Sequence, residues 1–144
     1  MELICKLVET DSELKAAHDV RRTVFVIGQN VPPEIEWDEF EDSALHMICR
    51  LDNNVVGTGR ITFFGSRAKI ERVAVLKEFR LRGIGRKIME FLVDECKKKN
   101  ARYIYAHVQM QAYDFYEKMG FCEVGEIFDE AGINHVKMVL KEEK

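Results

Sequence analysis

Residues 79–91 read FRLRGIGRKIMEF: two glycines and a cluster of basic residues stand where a helical pattern starts. From Gly83 to Lys99, apolar residues fall at 84, 88, 91, 92 and 96, the spacing of a helix with one buried stripe, and Asn100 can end it. The first turn of a helix presents N–H groups without intrahelical partners and about half a positive charge, which suits an anion. Glycines let that anion approach the backbone closely, and the nearby guanidinium groups of Arg80, Arg82 and Arg86 offer charge-assisted donors. The stretch fits a pyrophosphate; the alternative is that Gly83 and Gly85 merely permit a tight turn.

Upstream of this turn, KIERVAVL (69–76) reads as a strand, joined through a short connection around Gly65 to a hairpin of ALHMICRL (44–51), DNN (52–54) and VVGTGRITFF (55–64). ICKLVE (4–9) reads as a first strand. Asp11 or Ser12 can cap a helix that runs through residues 13–27 and stops near Gly28. Residues 29–43 contain VPP and a run of acids, and read as a loop with one helical turn. Downstream, RYIYAHV (102–108) is a strand, QAYDFYEKM (111–119) a helix, and FCEVGEI (121–127) with INHVKMVL (133–140) a closing strand pair. The order β, α, three strands, α, β, α, two strands predicts an α+β (mixed α/β) layer fold rather than a regular βαβ array.

With 144 residues, 47% apolar and 33% charged, the chain has the size of one globular domain, residues 1–144. No signal peptide or long apolar run is visible, so a cytoplasmic protein without membrane partners is expected. The terminal KEEK is expected to fray. Cys5, Cys49, Cys96 and Cys122 lack metal-ligand spacing and read as buried free thiols, with no metal expected. A net charge of -3 argues against a nucleic-acid partner. That average hides two poles: Glu34, Glu36, Asp38, Glu39, Glu41 and Asp42 in one stretch, and Arg80, Arg82, Arg86 and Lys87 in another. Each reads either as a solvated face or as one side of a ligand site.

Two common phosphate loops fail here. A Walker loop needs Lys-Ser/Thr after its last glycine, where Arg86 and Lys87 stand, and neither GIGRKI nor VGTGRI has the third glycine of a dinucleotide fingerprint. What remains is RxxGxG, filled by Arg80, Gly83 and Gly85. With it, the chain resembles the GNAT superfamily of acetyl-CoA-dependent N-acetyltransferases over nearly its whole length. The resemblance runs from RRTVFVIGQNVPPEIEWDEFEDSALH (21–46) through VVGTGRI, KIERVAVLKEFRLRGIG and QMQAYDFYEKMGF to GEIFDEAGINHVKM (125–138). That series looks like the ElaA-like branch, except that Gly28-Gln29 stands where the branch commonly has EQ before VP.

The resemblance implies a central, mostly antiparallel sheet with helices on both faces, and acetyl-CoA as co-substrate. It implies acetyl transfer to a primary amine of a small molecule or peptide, without a covalent enzyme intermediate. It assigns the pyrophosphate to Arg80, Leu81, Arg82, Gly83, Ile84, Gly85 and Arg86, and the acetyl and pantetheine arm to the backbone of Val73, Ala74 and Val75. Tyr116 matches the tyrosine that protonates the leaving thiolate, with Tyr113 as fallback. Glu71, flanked by apolar residues, matches the position of a catalytic base or pairs with a basic neighbour. Gln109 matches a polar position facing the pantetheine or the substrate. His46, His107 and His135 read as structural histidines, His107 also as a candidate base. Arg60 and Arg72 hold an acceptor's anionic group or pair with acids; the acidic loop attracts a cationic acceptor or is merely solvated. A homodimer is compatible with all of this. The alternative function is a catalytically silent acyl-CoA-binding module, and a nucleotide-binding regulator is a second rival.

Overall fold

The computed structural model describes residues 2–141. Seven strands form one sheet: β1 (Leu3–Leu7), β2 (Leu45–Leu51), β3 (Asn54–Phe64), β4 (Arg67–Val75), β5 (Tyr103–Gln109), β6 (Phe121–Glu130) and β7 (Ile133–Leu140). Their spatial order is β1-β2-β3-β4-β5-β7-β6, and every neighbouring pair is antiparallel except β4–β5. A parallel pair needs a long crossover, and α3 (Ile84–Lys98) provides it. The element order and fold class agree with the sequence reading. Of the terminal KEEK only Lys141 is among the described residues, and its N–H donates to the Gly120 carbonyl at 3.1 Å.

The apolar stripe of α3, Ile84, Ile88, Leu92 and Cys96, is buried against one face of the sheet. Its close approach explains the two glycines of VGTG: a Cβ on Gly57 would lie 2.7 Å from Ile88 Cδ1, and one on Gly59 2.7 Å from Leu92 Cδ1. Those glycines serve helix packing inside a strand. The other face carries α1 (Asp11–Arg21), whose Ala17 and Val20 are buried.

Thr10, not Asp11 or Ser12, caps α1: its hydroxyl accepts from Glu13 N–H at 3.1 Å, while Glu13 Oε1 accepts from Glu9 N–H at 2.8 Å. The T-x-x-E pattern at 10–13 is the local sequence signal for this cap. The predicted helix does reach Gly28, but as a π-helix over Arg22–Ile27. There Thr23 Oγ1 donates to the Asp19 carbonyl at 2.9 Å, in a run rich in β-branched residues. The acidic stretch contains the single turn α2 (Pro33–Glu36), started by proline at its first position.

The expectation of buried free thiols holds for Cys96; Cys122 is free but only half-buried, and the other two depart from it. Cys5 and Cys49 face each other across β1–β2, with Cα atoms 4.2 Å apart, and are joined by a disulfide. Their separation of 44 residues concealed the register that makes them neighbours.

Two irregularities in β4 shape the site. Arg60 pairs with Glu71 and Thr58 with Ala74, so Arg72 and Val73 together oppose Gly59: a bulge, with Arg72 at φ 55°. The parallel ladder with β5 then ends at Ile70 and Ala106. Beyond those residues β4 and β5 diverge, and the sheet opens into a V.

Candidate active site

The V is a cleft of about 580 Å³. Along its β4 wall, residues past Ile70 have no β5 partner, so the strand edge from Val73 to Val75 is available to a ligand. Ala74 presents only backbone there, because its side chain is buried against Val20 and Val24 on the α1 side. The Val75 carbonyl already accepts from Arg80 Nε at 3.0 Å, which draws that guanidinium to the cleft margin.

Residues 81–86 arch over the start of α3. Gly83, at φ 79°, sits at the N-cap, in a conformation a side chain would strain, while a Cβ there would touch nothing. None of the N–H groups from Leu81 to Arg86 donates to a described residue; the next bond is Lys87 N–H to the Gly83 carbonyl at 3.2 Å. Six consecutive N–H groups without an acceptor among the described residues stand at this helix start, an arrangement that suits an anion. Gly85 faces the Phe115 ring, and Ile84 is buried in the core. Leu81 is fully exposed, the Arg82 guanidinium lies 5.4 Å over the Phe79 ring, and Arg86 turns towards Glu90 at 3.6 Å.

The acidic stretch folds inward. Arg21, buried on α1, donates from Nη1 to Glu41 Oε2 at 2.7 Å and from Nη2 to Glu36 Oε2 at 3.0 Å. Arg60, with 0% exposure, reaches Asp38, Glu41 and Glu71 at 2.8, 3.0 and 2.9 Å. Arg72 donates to the Glu36 carbonyl at 3.1 Å and to Asp38 Oδ2 at 3.3 Å. Burial works against the charge of Glu41, yet Arg21, with His18 beside it, holds the carboxyl down at about 2. Asp38, likewise opposed by burial, is held below the usual carboxylate range by Arg60. Arg60 and Arg72 are therefore spent on acids, not offered to a ligand. Glu36, Asp38 and Glu41 carry no spare charge for a cationic acceptor, and Glu34, Glu39 and Asp42 are exposed.

Glu71 lies on the cleft floor among cations rather than apolar groups. Thr62 Oγ1 donates to its Oε1 at 2.6 Å, and Arg60 Nη2 and Lys69 Nζ lie 2.9 and 3.5 Å from its Oε2. Of its two strand neighbours only Ile70 is apolar, and alternation turns that side chain into the core; Arg72 Nη1 lies 3.8 Å from Glu71 Oε2.

Tyr116, on α4 (Tyr113–Lys118), lines the cleft, packed edge-on against Phe115 and Phe121. Desolvation pushes its phenol up to about 12. Tyr113 lies outside the cleft and donates to Glu123 Oε1 at 2.9 Å on the surface. Gln109 clasps Gln29 across the mouth: its Nε2 donates to Gln29 Oε1 at 2.8 Å. Further along, His107 Nδ1 lies 3.2 Å from Glu130 Oε1, and His135 Nε2 lies 3.6 Å from Glu130 Oε2. His46 is structural: its Nε2–H donates to the Glu41 carbonyl at 2.9 Å, and burial lowers its pKa. Sequence reasoning missed Gln29 and Glu130 as site residues. Alternation along β5 puts 107 and 109 on one face, but their partners lie 23 and 80 residues away.

The profile of the acetyltransferase (GNAT) domain matches residues 15–142. Bacillus subtilis YyaT is 37% identical over 136 residues, 92% of each chain. Escherichia coli ElaA is 28% identical over 132 residues, 88% of this chain and 86% of its own; its crystal structure superposes with a TM-score of 0.87 over 97% of this chain and all of that one, at 23% identity. The Thermoplasma acidophilum PaiA N-acetyltransferase, solved in complex with coenzyme A, shares the fold at a TM-score of 0.74 and 17% identity, over 99% of this chain and all of its own. A bulged β4, a split from β5 and a free helix start at RxxGxG, together with these matches, make the chain a member of the GNAT acetyltransferase family, with ElaA among its relatives, and so an acyltransferase.

Proposed function

We propose that this protein is a cytosolic N-acetyltransferase that passes an acetyl group from acetyl-CoA directly to a primary amine of a small molecule or peptide. The observation that carries the reading is the split between β4 and β5, whose unpaired edge leads from the free N–H groups at Gly83 towards Tyr116. PaiA, with the same fold, holds coenzyme A.

The residues present suit that co-substrate. The N–H groups of Leu81–Arg86 and the guanidinium groups of Arg80 and Arg82 hold the pyrophosphate; Arg86 is diverted to Glu90. The backbone of Val73, Ala74 and Val75 pairs with the pantetheine amides as an added strand would. Gln109 and Gln29 border the channel at the acetyl end. Bound there, acetyl-CoA supplies the thioester. Tyr116, protonated well above neutral pH, gives its proton to the departing thiolate.

The acceptor ammonium must also lose a proton. Glu71 is the carboxylate expected in that role, yet Thr62, Arg60 and Lys69 already engage its oxygens, and taking a proton means disrupting those contacts.

The test is a library of primary amines incubated with acetyl-CoA and read by free thiol. Release above the amine-free control with any member supports the reading. Coenzyme A binding by calorimetry without acetylation of any amine returns the silent acyl-CoA-binding module. Equal affinity for ATP and coenzyme A favours a nucleotide-binding regulator.

A further inference from the structure

His107 and Glu71 occupy the first position at which β5 and β4 part, immediately beyond the last ladder pair, Ile70 with Ala106, and both line the cleft. The two side chains are held in opposite ways. Both oxygens of Glu71 are engaged by a hydroxyl and by cations. Among the described residues, the His107 side chain makes one hydrogen bond, between Nδ1 and Glu130 Oε1 at 3.2 Å.

The Glu130 carboxyl is held below its usual range, first by its hydrogen bond with His107, against its own partial burial, with Lys69 and His135 adding to the effect. An ionised carboxylate only accepts, so His107 Nδ1–H is the donor and Nε2 of the neutral ring keeps its lone pair. The carboxylate is steadied in turn. His135 Nδ1–H donates to the Ile133 carbonyl at 2.7 Å, which leaves its Nε2 3.6 Å from Glu130 Oε2. Phe128 packs edge-on against the His107 ring at 5.1 Å and near the His135 ring at 5.9 Å, limiting the rotation of both. The charged and titratable groups around His107 are Lys69 and Glu71 on β4, Tyr105 on β5, Glu130 on β6, and Lys137 and His135 on β7.

We propose that His107, oriented by Glu130, is the base that takes the proton of the acceptor ammonium. The proposal rests on the acetyl-transfer reading above and names the group that reading leaves open. The acceptor R–NH3+ gives one proton to His107 Nε2, and the imidazolium is balanced by Glu130. The neutral nitrogen forms a C–N bond to the thioester carbonyl carbon as the C–S bond breaks. Tyr116 gives its phenolic proton to the thiolate and is restored by the second proton lost from the acylated nitrogen. His107 returns its proton to water, so the net products are the amide, the free thiol and one proton. Glu130 is a positioning residue: it touches no reacting atom and fixes the imidazole tautomer. Glu71 is the ion-paired floor beside them.

The test uses bromoacetyl-CoA, which places a C–Br bond where acetyl-CoA has a methyl hydrogen. A lone pair at the acetyl end displaces bromide, a new N–C bond forming as C–Br breaks, and peptide mass spectrometry locates the adduct. His107 is expected to be the principal alkylated residue. Glu130→Gln is expected to slow that labelling about tenfold or more, because the ring loses its fixed tautomer. Nitrogen-15 NMR of histidine-labelled protein supplies a readout that mere packing would not move: where the ring is neutral, His107 should carry its proton on Nδ1 in the wild type and lose that preference in Glu130→Gln. An adduct on Glu71, or an unmodified His107 in protein that binds coenzyme A by calorimetry, overturns the assignment of the base alone. Failure to bind coenzyme A overturns the acetyl-transfer reading with it.

Discussion

Arg21, at the end of α1, and Arg60, on β3, have 1% and 0% of their surface exposed, whereas Arg80, Arg82 and Arg86 stand in water around the start of α3. The buried pair is ringed by Glu36, Asp38, Glu41 and Glu71; among the exposed three, one leans on a backbone carbonyl, one on a ring, and one on a helical neighbour. Composition treats the two groups alike. What separates them is how much counter-charge the fold supplies: each buried guanidinium meets two or more acids, whereas of the exposed three only Arg86 has one among the described residues, Glu90 at 3.6 Å. A guanidinium whose acids arrive from its own chain holds the structure together, and one without an acid among the described residues, as with Arg80 and Arg82, is available to an anion from outside.

The contrast breaks first at Arg60. Arg60→Met removes one partner from a fully enclosed network and leaves Asp38, Glu41 and Glu71 facing one another, so stability should fall by about 3–5 kcal/mol, measured by denaturant unfolding. A loss below about 1 kcal/mol would mean that water reaches the network and the comparison is wrong. Tyr116→Phe sharpens the other side. It deletes a hydroxyl without emptying space, so turnover should fall by about 10²–10⁴ while coenzyme A affinity and melting temperature stay near wild type. An unchanged rate would assign the proton on the thiolate to solvent.

Arg80→Ala comes next. Losing a charge-assisted bond costs about 1.5–3 kcal/mol, which is roughly tenfold or more in coenzyme A affinity by calorimetry, with little change in unfolding. Equal affinity in the variant would remove Arg80 from the phosphate seat.

The smallest effect is the acid limb of stability. Glu41 titrates near 2 in the folded protein, below its ordinary 4.5, so its contribution is complete above about pH 4.5 and is lost as pH falls towards 2. Glu41→Gln should be less stable at pH 7 and should flatten the stability profile between those limits. A profile as steep as the wild type would move the titration to other acids, Glu13 among them, whose carboxyl is also held at about 2 by its hydrogen bond from Lys6.

Much of this molecule was legible before its coordinates. The order of strands and helices followed from periodicity, because each element has a clear apolar face; the stripe at 84, 88, 92 and 96 is the face that α3 buries. The glycine turn that opens α3 was legible for a similar reason: its signal is local, six residues that carry their own geometry. What escaped depends on register between distant segments. Arg60 and Arg72 could not be assigned to Asp38 and Glu36 from sequence, since a loop and two strands must fold before those groups meet. The same holds for the Cys5–Cys49 bridge and for Glu130, which reaches His107 only after β6 and β7 have placed it. Thr10 is a different kind of miss, for its capping pattern was present and local.

Gly57 and Gly59 lie on β3, away from the phosphate seat, yet they determine how low α3 rides on the sheet. The missing methyl of Gly57 is the space that Ile88 fills, with Ile84 at 3.5 Å from the same point. Ile84 is the residue that follows Gly83, so the height of the helix above β3 is also the height of the six free N–H groups above the cleft. Two absent methyl groups thus act as a spacer of zero thickness, and the depth at which the start of α3 meets the cleft is written in a strand that lies apart from it.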